Sequence, residues 1–173
     1  QKEELDCLNN RRVGLIINHT SVDSKGKHII KIMLDNKINL VRIFSPEHGY
    51  LGNYAAGKNV DDNLDPLSGV EVISLYGKNK APLDKYLTDI DILIFDIQDI
   101  GVRYYTYAST MTLAMERAAQ NNIEFMVLDR PNPLTGATQG SVLDLEFSSF
   151  VGMHPIPVRH GMTIAELALF IKN

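Results

Sequence analysis

Five short apolar runs, separated by loops or by segments with helical periodicity, constrain the fold of this chain more than any other feature of its sequence. The runs are four to six residues long and occupy residues 13–17, 40–44, 70–75, 92–95 and 125–128. Strands with so few polar residues are typical of parallel sheets that helices cover on both faces. The alternation therefore predicts an α/β fold with a doubly wound, mostly parallel sheet.

Helical signals occupy the segments between and after these runs. Residues 27–34 follow the first run, and residues 106–121 place apolar side chains at helical spacing: Tyr107, Met111, Ala114, Met115 and Ala118. Tyr107 fits this apolar stripe and is predicted to be structural. Near the end of the chain, Thr163 and Glu166 have the spacing of a capping box, which predicts the start of a final helix.

Polar residues follow the apolar runs at the points where the presumed strands end. They are Asn18 and His19 after the first run, Glu47 and His48 after the second, Asp96, Gln98 and Asp99 after the fourth, and Asp129 and Arg130 after the fifth. The carboxyl ends of parallel strands meet at one edge of a sheet, and ligands bind in the crevice outside that edge. We therefore predict a binding or catalytic cleft at this edge.

Charge and motifs argue against several kinds of site. The net charge is −4, whereas nucleic-acid-binding domains normally carry a basic face. No G-x-G-x-x-G or G-x-x-x-x-G-K-[ST] motif is present, which disfavours dinucleotide and P-loop sites. The chain has no G-x-S-x-G motif, and its lone Cys7 lies in the polar N-terminal stretch, so acyl transfer is also disfavoured. No apolar run reaches membrane-spanning length.

A metal site would need ligands from several separate loops. The residues of suitable type are His19, His48, Asp96, Asp99, Asp129 and His160. Neither H-E-x-x-H nor H-x-H spacing occurs, although such spacings are the usual sequence signs of a metal centre. We therefore expect neither a metal nor another cofactor.

Glu47 is the strongest candidate for a catalytic acid. Its neighbours in sequence are largely apolar, and partial burial raises the pKa of a carboxyl toward the range useful for proton donation. The alternative is a turn carboxylate that nearby N–H groups stabilise. His48 either orients Glu47, binds a ligand or is structural. The polar loop of residues 49–68 is too long for a simple connection and is predicted to carry function.

Other polar residues of the edge have two interpretations each. Asp96 ends a buried run and needs a partner, either Arg103 or a backbone amide. Gln98 and Asp99 are predicted to extend into the crevice and bind hydroxyl groups. Arg103 is suited to bidentate capture of a carboxylate, and the nearby Tyr105 to packing against a sugar.

The polar residues nearest the end of the chain also have two interpretations each. Asp129 and Arg130 form either a buried ion pair that fixes the RPNPLTG loop or part of a substrate site. His160 either points into the same crevice or caps the helix that begins near Thr163.

Six longer segments occur together in an order and spacing that resemble one bacterial family. They are GLIINHT, FSPEHGYLG, SLYG, FDIQDIGVRYYTY, LDRPNPLTG and SFVGMHPIPVRHGMT. The family was catalogued as a domain of unknown function and is associated with exo-β-N-acetylmuramidase activity. The resemblance extends from about residue 12 to the end of the chain. It implies a glycoside hydrolase that removes N-acetylmuramic acid from the non-reducing end of peptidoglycan fragments.

The resemblance also implies an architecture and a location. Residues 1–173 are expected to form a single Rossmann-like N-terminal domain, and a smaller C-terminal domain, absent from this chain, is expected to complete the cleft. The expected partners are peptidoglycan-derived sugars, and the expected location is secreted or periplasmic, with a cytoplasmic one still open. The alternatives are a non-catalytic cell-wall sugar-binding module, an inactive half-enzyme or, less favoured, a metal-dependent hydrolase.

Residue roles follow from matching the family motifs. Glu47 is the expected catalytic acid, with Asp96 and His48 as further catalytic candidates. The expected substrate-binding residues are Asn18, His19, Gln98, Asp99, Arg103, Tyr105, Asp129, Arg130 and His160. Glycoside hydrolysis also needs a nucleophile or base, for which Asp96, Asp99 and Asp129 compete. Arg103 or Arg130 is the expected partner of the lactyl carboxylate of muramic acid.

Overall fold

The computed structural model describes residues 3–46, 63–75, 77 and 80–172 of the chain. Six strands in this part form one sheet: β1 (Val13–Ile17), β2 (Leu40–Ser45), β3 (Asn63–Leu64), β4 (Glu71–Ser74), β5 (Ile92–Asp96) and β6 (Glu124–Val127). Their order is β3-β4-β2-β1-β5-β6, and of the described pairings within this sheet only β3 with β4 is antiparallel. The parallel strands thus run outward in both directions from β1. This is the doubly wound, Rossmann-like arrangement, and the predicted fold class is confirmed.

The helices of the described residues are α1 (Ile29–Asp35), α2 (Tyr107–Gln120) and α3 (Ile164–Lys172), and none is long and apolar enough to cross a membrane. The helix predicted over residues 27–34 begins two residues later than expected. His28 is the N-cap, because its backbone is extended (φ −68°, ψ 144°) and its imidazole accepts a hydrogen bond from the N–H of Ile30.

Alternate residues of the central strand bury against opposite faces of the sheet. Leu15 and Ile17 of β1 belong to the apolar cluster that α1 covers. Ile16, between them in sequence, belongs to the cluster that α2 and α3 cover on the other face. Tyr107 is buried in this second cluster, so its predicted structural role is confirmed. Two-sided burial explains why the strands have almost no polar residues.

A small antiparallel hairpin lies beside the carboxyl edge of the sheet. Its strands are β7 (Gln139–Val142) and β8 (Pro157–Arg159). The backbone N–H of Arg103 donates to the carbonyl of Val158 at 2.8 Å, which attaches the hairpin to the segment that precedes α2. The hairpin is therefore attached beside the edge of the sheet where the cleft is predicted.

Candidate functional site

The loops that follow β1 and β5 are joined by side-chain hydrogen bonds where the strand order reverses. Thr20 Oγ1 accepts the backbone N–H of Gln98 at 3.0 Å, and the Ser21 hydroxyl donates to the carbonyl of Asp96. Asn18, which is 1% exposed, accepts both the backbone N–H and the hydroxyl of Thr20 on its Oδ1, at 2.8 and 2.6 Å. Asn18 thus orients the residues that close the space between the two loops.

A buried ion pair lies immediately beside these loops. Arg130 Nε donates to Asp96 Oδ1 at 2.7 Å, and the Asp96 side chain is only 4% exposed. The Arg130 guanidinium also donates to the carbonyl of Val22 at 3.2 and 3.3 Å. Burial raises the pKa of Asp96 above the ordinary aspartate value, and the charge of Arg130 opposes this rise. The sequence interpretation that paired Asp96 with Arg103 or a backbone amide is corrected here, because the partner is Arg130.

Arg103 points away from Asp96 and toward the hairpin. Its Nη1 donates to the backbone carbonyls of Ser141 and Ile156, at 2.8 and 2.6 Å. These bonds connect the two ends of the segment between β7 and β8. In the described part of the chain, the guanidinium therefore holds the hairpin against the sheet edge.

Asp99 and His160 come together in the buried part of the same edge. His160 Nε2 lies 3.5 Å from Asp99 Oδ2, and their side chains are 1% and 7% exposed respectively. Asp99 Oδ2 accepts the N–H of Gly101 at 2.6 Å, and His160 Nδ1 accepts the N–H of Met162 at 3.2 Å. Because Nδ1 is an acceptor, a neutral His160 has its proton on Nε2, which faces Asp99 but makes no hydrogen bond among the described residues. The pair connects the loop after β5 with the turn before α3.

The Gly101 backbone has a left-handed conformation and lies close to the Asn132 side chain. Its φ is +81°, and a Cβ at this position would lie 2.2 Å from Asn132 Oδ1. Asn132 in turn donates from Nδ2 to the carbonyl of Met162 at 2.8 Å. A side chain at position 101 would therefore displace the loop that holds Asp99.

Asp129 lies at the start of α3 and does not pair with the Arg130 guanidinium. Its Oδ1 accepts the N–H of Ala165 at 3.0 Å, and its Oδ2 accepts the Thr163 hydroxyl at 3.0 Å. The predicted capping box is also present: Thr163 N–H donates to Glu166 Oε2 at 2.8 Å, and Glu166 N–H donates to Thr163 Oγ1 at 3.2 Å. The ion-pair interpretation of Asp129 with Arg130 is therefore wrong, since Asp129 fixes the N-terminus of α3.

The substitution Asp129→Ala tests this role. It removes acceptors for one helix N–H and one hydroxyl, so we expect a loss of about 1 kcal/mol in the free energy of unfolding, as for other N-terminal caps. Urea unfolding followed by circular dichroism measures the change. Asp144→Ala is the matched control, because among the described residues the Asp144 carboxylate accepts the Glu146 N–H of a three-residue 3₁₀ turn and caps no α-helix. Equal stability of the Asp129 variant and the parent would contradict the assignment.

Tyr105 is the half-buried phenol of the site. Its ring meets that of Tyr107 edge to face, with 4.7 Å between centroids and 73° between planes. Burial, with smaller contributions from Tyr107 and from the charge of Asp99, raises the pKa of Tyr105 to about 12. The phenol therefore stays protonated at neutral pH, and its hydroxyl is hydrogen-bonded with Tyr107.

Of the four remaining predicted site residues, the structure describes Gln98 and His19. Gln98 Nε2 donates to the carbonyls of Asp99 and Pro131, at 2.7 and 2.9 Å, and the His19 side chain is exposed. Glu47 and His48 lie outside the described residues, as do residues 49–62 of the long loop. Their predicted roles stay predictions. No group of three or more potential metal ligands occurs within the described ranges.

Two features of the site were missed at the sequence level. Thr20 and Ser21 link the β1 and β5 loops, and the hydroxyl-rich NHTS segment directly after an apolar run was the available signal. Lys80 lies with its ammonium nitrogen 4.2 Å from the centroid of the Phe150 ring. No sequence signal indicated this contact, because the two residues are far apart in the chain.

Comparisons of the sequence with a family model and with curated proteins point to the same family. The family model described as "Exo-beta-N-acetylmuramidase NamZ, N-terminal" matches residues 13–173. The Peptidoglycan beta-N-acetylmuramidase NamZ of Bacillus subtilis (strain 168) is 50% identical over 169 residues, covering 96% of this chain and 41% of the relative.

Solved structures agree with this match. Two crystal structures of DUF1343 family proteins from Bacteroides fragilis NCTC 9343 are similar to the chain. One has a TM-score of 0.90 at 45% identity, covering 98% of this chain and 43% of its own. The other has a TM-score of 0.85 at 40% identity, covering 98% and 44%. The chain thus spans less than half the length of these relatives.

Proposed function

Because this chain belongs to the family of the NamZ N-terminal domain, we propose that it is the Rossmann-like part of an exo-β-N-acetylmuramidase. The reaction is hydrolysis of the bond that joins a non-reducing N-acetylmuramic acid to the rest of a peptidoglycan fragment. The observation that carries this proposal is the 50% identity to a peptidoglycan β-N-acetylmuramidase across nearly the whole chain. A secreted or periplasmic location, where such fragments are formed, is part of the proposal.

The cluster of polar side chains at the carboxyl edge supports a site for a sugar. The exposed His19 and the half-buried Tyr105 lie at this edge, and the Asp96–Arg130 ion pair holds the surrounding loops. A site built on fixed loops can hold a sugar in one orientation for reaction. Glu47 follows β2 at the same edge in sequence and is the proposed proton donor.

The second catalytic group is proposed to lie elsewhere. Asp129 uses both carboxylate oxygens at the start of α3, and Asp96 pairs with Arg130. Asp99 Oδ1 has no hydrogen-bond partner among the described residues, but this atom is buried in the loop and not exposed at the sheet edge. We propose instead a carboxylate outside the described residues, and Asp61 and Asp62 of the long loop are the first to substitute.

An assay of sugar release tests the proposed function. The longest natural form of the protein that contains this chain is incubated with a nitrophenyl β-N-acetylmuramide and with a muramic acid–glucosamine disaccharide. Release of N-acetylmuramic acid from both is the expected result. The Bacillus subtilis relative serves as the positive control in the same buffer. Activity of the relative together with inactivity of the longer protein would overturn the proposal.

A sugar-binding module without turnover is the second candidate, and the 41% coverage of the relative favours considering it for the 173-residue chain itself. Calorimetry with a muramic acid disaccharide, run beside the release assay, separates the two. Binding by both the chain and the longer protein without release by either would favour the module. Release of N-acetylmuramic acid by the longer protein would instead show that the bound sugar is the substrate of an enzyme.

A further inference from the structure

Recognition of muramic acid requires a partner for its lactyl carboxylate, the group that distinguishes it from glucosamine. The two arginines expected for this role already make hydrogen bonds within the fold. Arg103 Nη1 donates to two backbone carbonyls, and Arg130 donates to Asp96 and to the carbonyl of Val22. Redirecting either guanidinium would break contacts in the fold. A cation at the carboxyl edge that makes no such bonds among the described residues is therefore the stronger candidate.

A cavity of about 270 Å³ lies at this edge beside the first turn of α2. Its lining includes Leu75, Lys80, Thr106, Thr110, Phe150 and Val151. The N–H of Leu75 donates to the carbonyl of Ser45 at 2.8 Å, which places this wall next to the end of β2. Pro46 and then Glu47 follow Ser45 in sequence, so the cavity neighbours the chain position of the proposed proton donor.

The walls of this cavity suit a short organic acid. Lys80 is exposed, its ammonium nitrogen lies 4.2 Å from the centroid of the Phe150 ring, and it has no ion pair within the described residues. Contact with a ring face leaves ammonium N–H groups available for an anion. The first turn of the fourteen-residue α2 has no acidic residue, so its positive end adds to the favourable potential. Leu75 and Val151 offer apolar surface for a methyl group.

We propose that Lys80, positioned over Phe150, binds the lactyl carboxylate of the substrate in this cavity and so selects muramic acid over glucosamine. This inference rests on the proposed function and assigns the group that determines its specificity. The apolar wall receives the lactyl methyl, and the ammonium group pairs with the carboxylate. The mode differs from bidentate capture by arginine, because lysine acts as a flexible point charge.

The substitution Lys80→Met tests the role by removing the charge while keeping most of the side-chain length. The substrates are the muramide, its lactyl methyl ester and the corresponding glucosaminide, all with the same leaving group. We expect the parent to prefer the free acid and Lys80→Met to lose about tenfold in kcat/KM on it, mainly through KM, as for loss of one charge-assisted contact. Activity on the ester should stay unchanged, and Lys80→Arg should restore part of the loss.

Lys85→Met is the matched control. Lys85 also lies over an aromatic ring, with 4.4 Å between its ammonium nitrogen and the Tyr86 centroid, but it does not line the cavity. The control should retain the preference of the parent for the free acid. Circular dichroism and melting temperature establish that each variant is folded.

The outcomes separate this inference from the function on which it rests. Turnover of the muramide with an unchanged acid-over-ester preference in Lys80→Met would overturn the role of Lys80 and leave the muramidase intact. Equal activity of the unsubstituted protein on the free acid and on the methyl ester would also overturn the role of Lys80. Absence of turnover on all three substrates would overturn both the function and the inference.

Discussion

Replacement of Glu47 by Gln is expected to lower the hydrolysis of a muramic acid–glucosamine disaccharide by about 10²–10⁴-fold, the usual contribution of a general acid. The glutamine side chain has nearly the same shape but no proton that it can deliver to the departing sugar oxygen. The loss should be much smaller with the nitrophenyl muramide, because nitrophenolate leaves without prior protonation. This difference between leaving groups identifies an acid, which a loss of folding or of binding would not produce.

The control and the contrary result for Glu47 are both simple to obtain. Glu124→Gln changes a glutamate at the opposite end of the sheet, where its carboxylate pairs with Arg11 at 2.8 Å, and should leave turnover of both substrates unchanged. Equal losses of the Glu47 variant on both leaving groups would remove Glu47 from the acid role. Retained turnover on the disaccharide would do the same.

Replacement of Arg130 by Met is expected to cost about 3–5 kcal/mol of unfolding free energy at neutral pH, because it leaves a buried carboxylate without its partner. Asp96 is 3% exposed and the guanidinium also loses its bonds to the Val22 carbonyl. Urea unfolding at several pH values measures the effect. The double variant with Asp96→Asn should regain much of the lost stability, since it no longer buries a charge.

The pH dependence of the Arg130 variant has a definite sign. Burial raises the pKa of Asp96 in the folded state, and removal of Arg130 takes away an influence that lowers it. A folded-state pKa above the unfolded one means that the folded protein binds the proton more tightly, so stability is lost as pH rises from the unfolded value through the folded one. The deficit of Arg130→Met should therefore shrink in acid. A deficit that grows in acid would contradict this account.

The exposed pair of Arg12 with Asp91 provides the comparison for this experiment. Arg12 Nη2 lies 2.7 Å from Asp91 Oδ1, a distance equal to that of the buried pair, but the side chains are 46% and 37% exposed. Water solvates both charges when the pair is broken, so Arg12→Met should change stability little. A large loss from Arg12→Met would show that burial does not account for the difference between the two pairs.

Strand positions could be predicted from the sequence because both faces of this sheet are buried. The run at residues 92–95 became β5 with one added residue, and the run at 125–128 is displaced by one residue in β6. Local signals were equally reliable at the last helix, where Thr163 and Glu166 form both bonds of the capping box. Each of these features depends on residues close together in the chain.

The hydrogen-bond and ion-pair partners of the charged side chains could not be predicted from residues close in sequence. Arg103 is only seven positions from Asp96 in sequence, yet Gly101 turns the chain and the Arg103 side chain meets the hairpin. Arg130 is thirty-four positions away, but β5 and β6 are neighbouring strands and their ends place the two charges side by side. Sheet topology decided the pairing. The roles of Glu47 and His48 lie outside the described residues and depend on the experiments above.

The hydroxyl bonds that join the β1 and β5 loops have a consequence for the ligands that this part of the sheet edge can hold. In Rossmann-like folds that bind nucleotides, the phosphates occupy the gap where the strand order reverses. Here Thr20 and Ser21 fill that gap from within, so a glycine-rich loop introduced there would have to displace two hydrogen bonds before any phosphate entered. The position that holds phosphate in nucleotide-binding relatives of this fold is thus an internal brace in this domain.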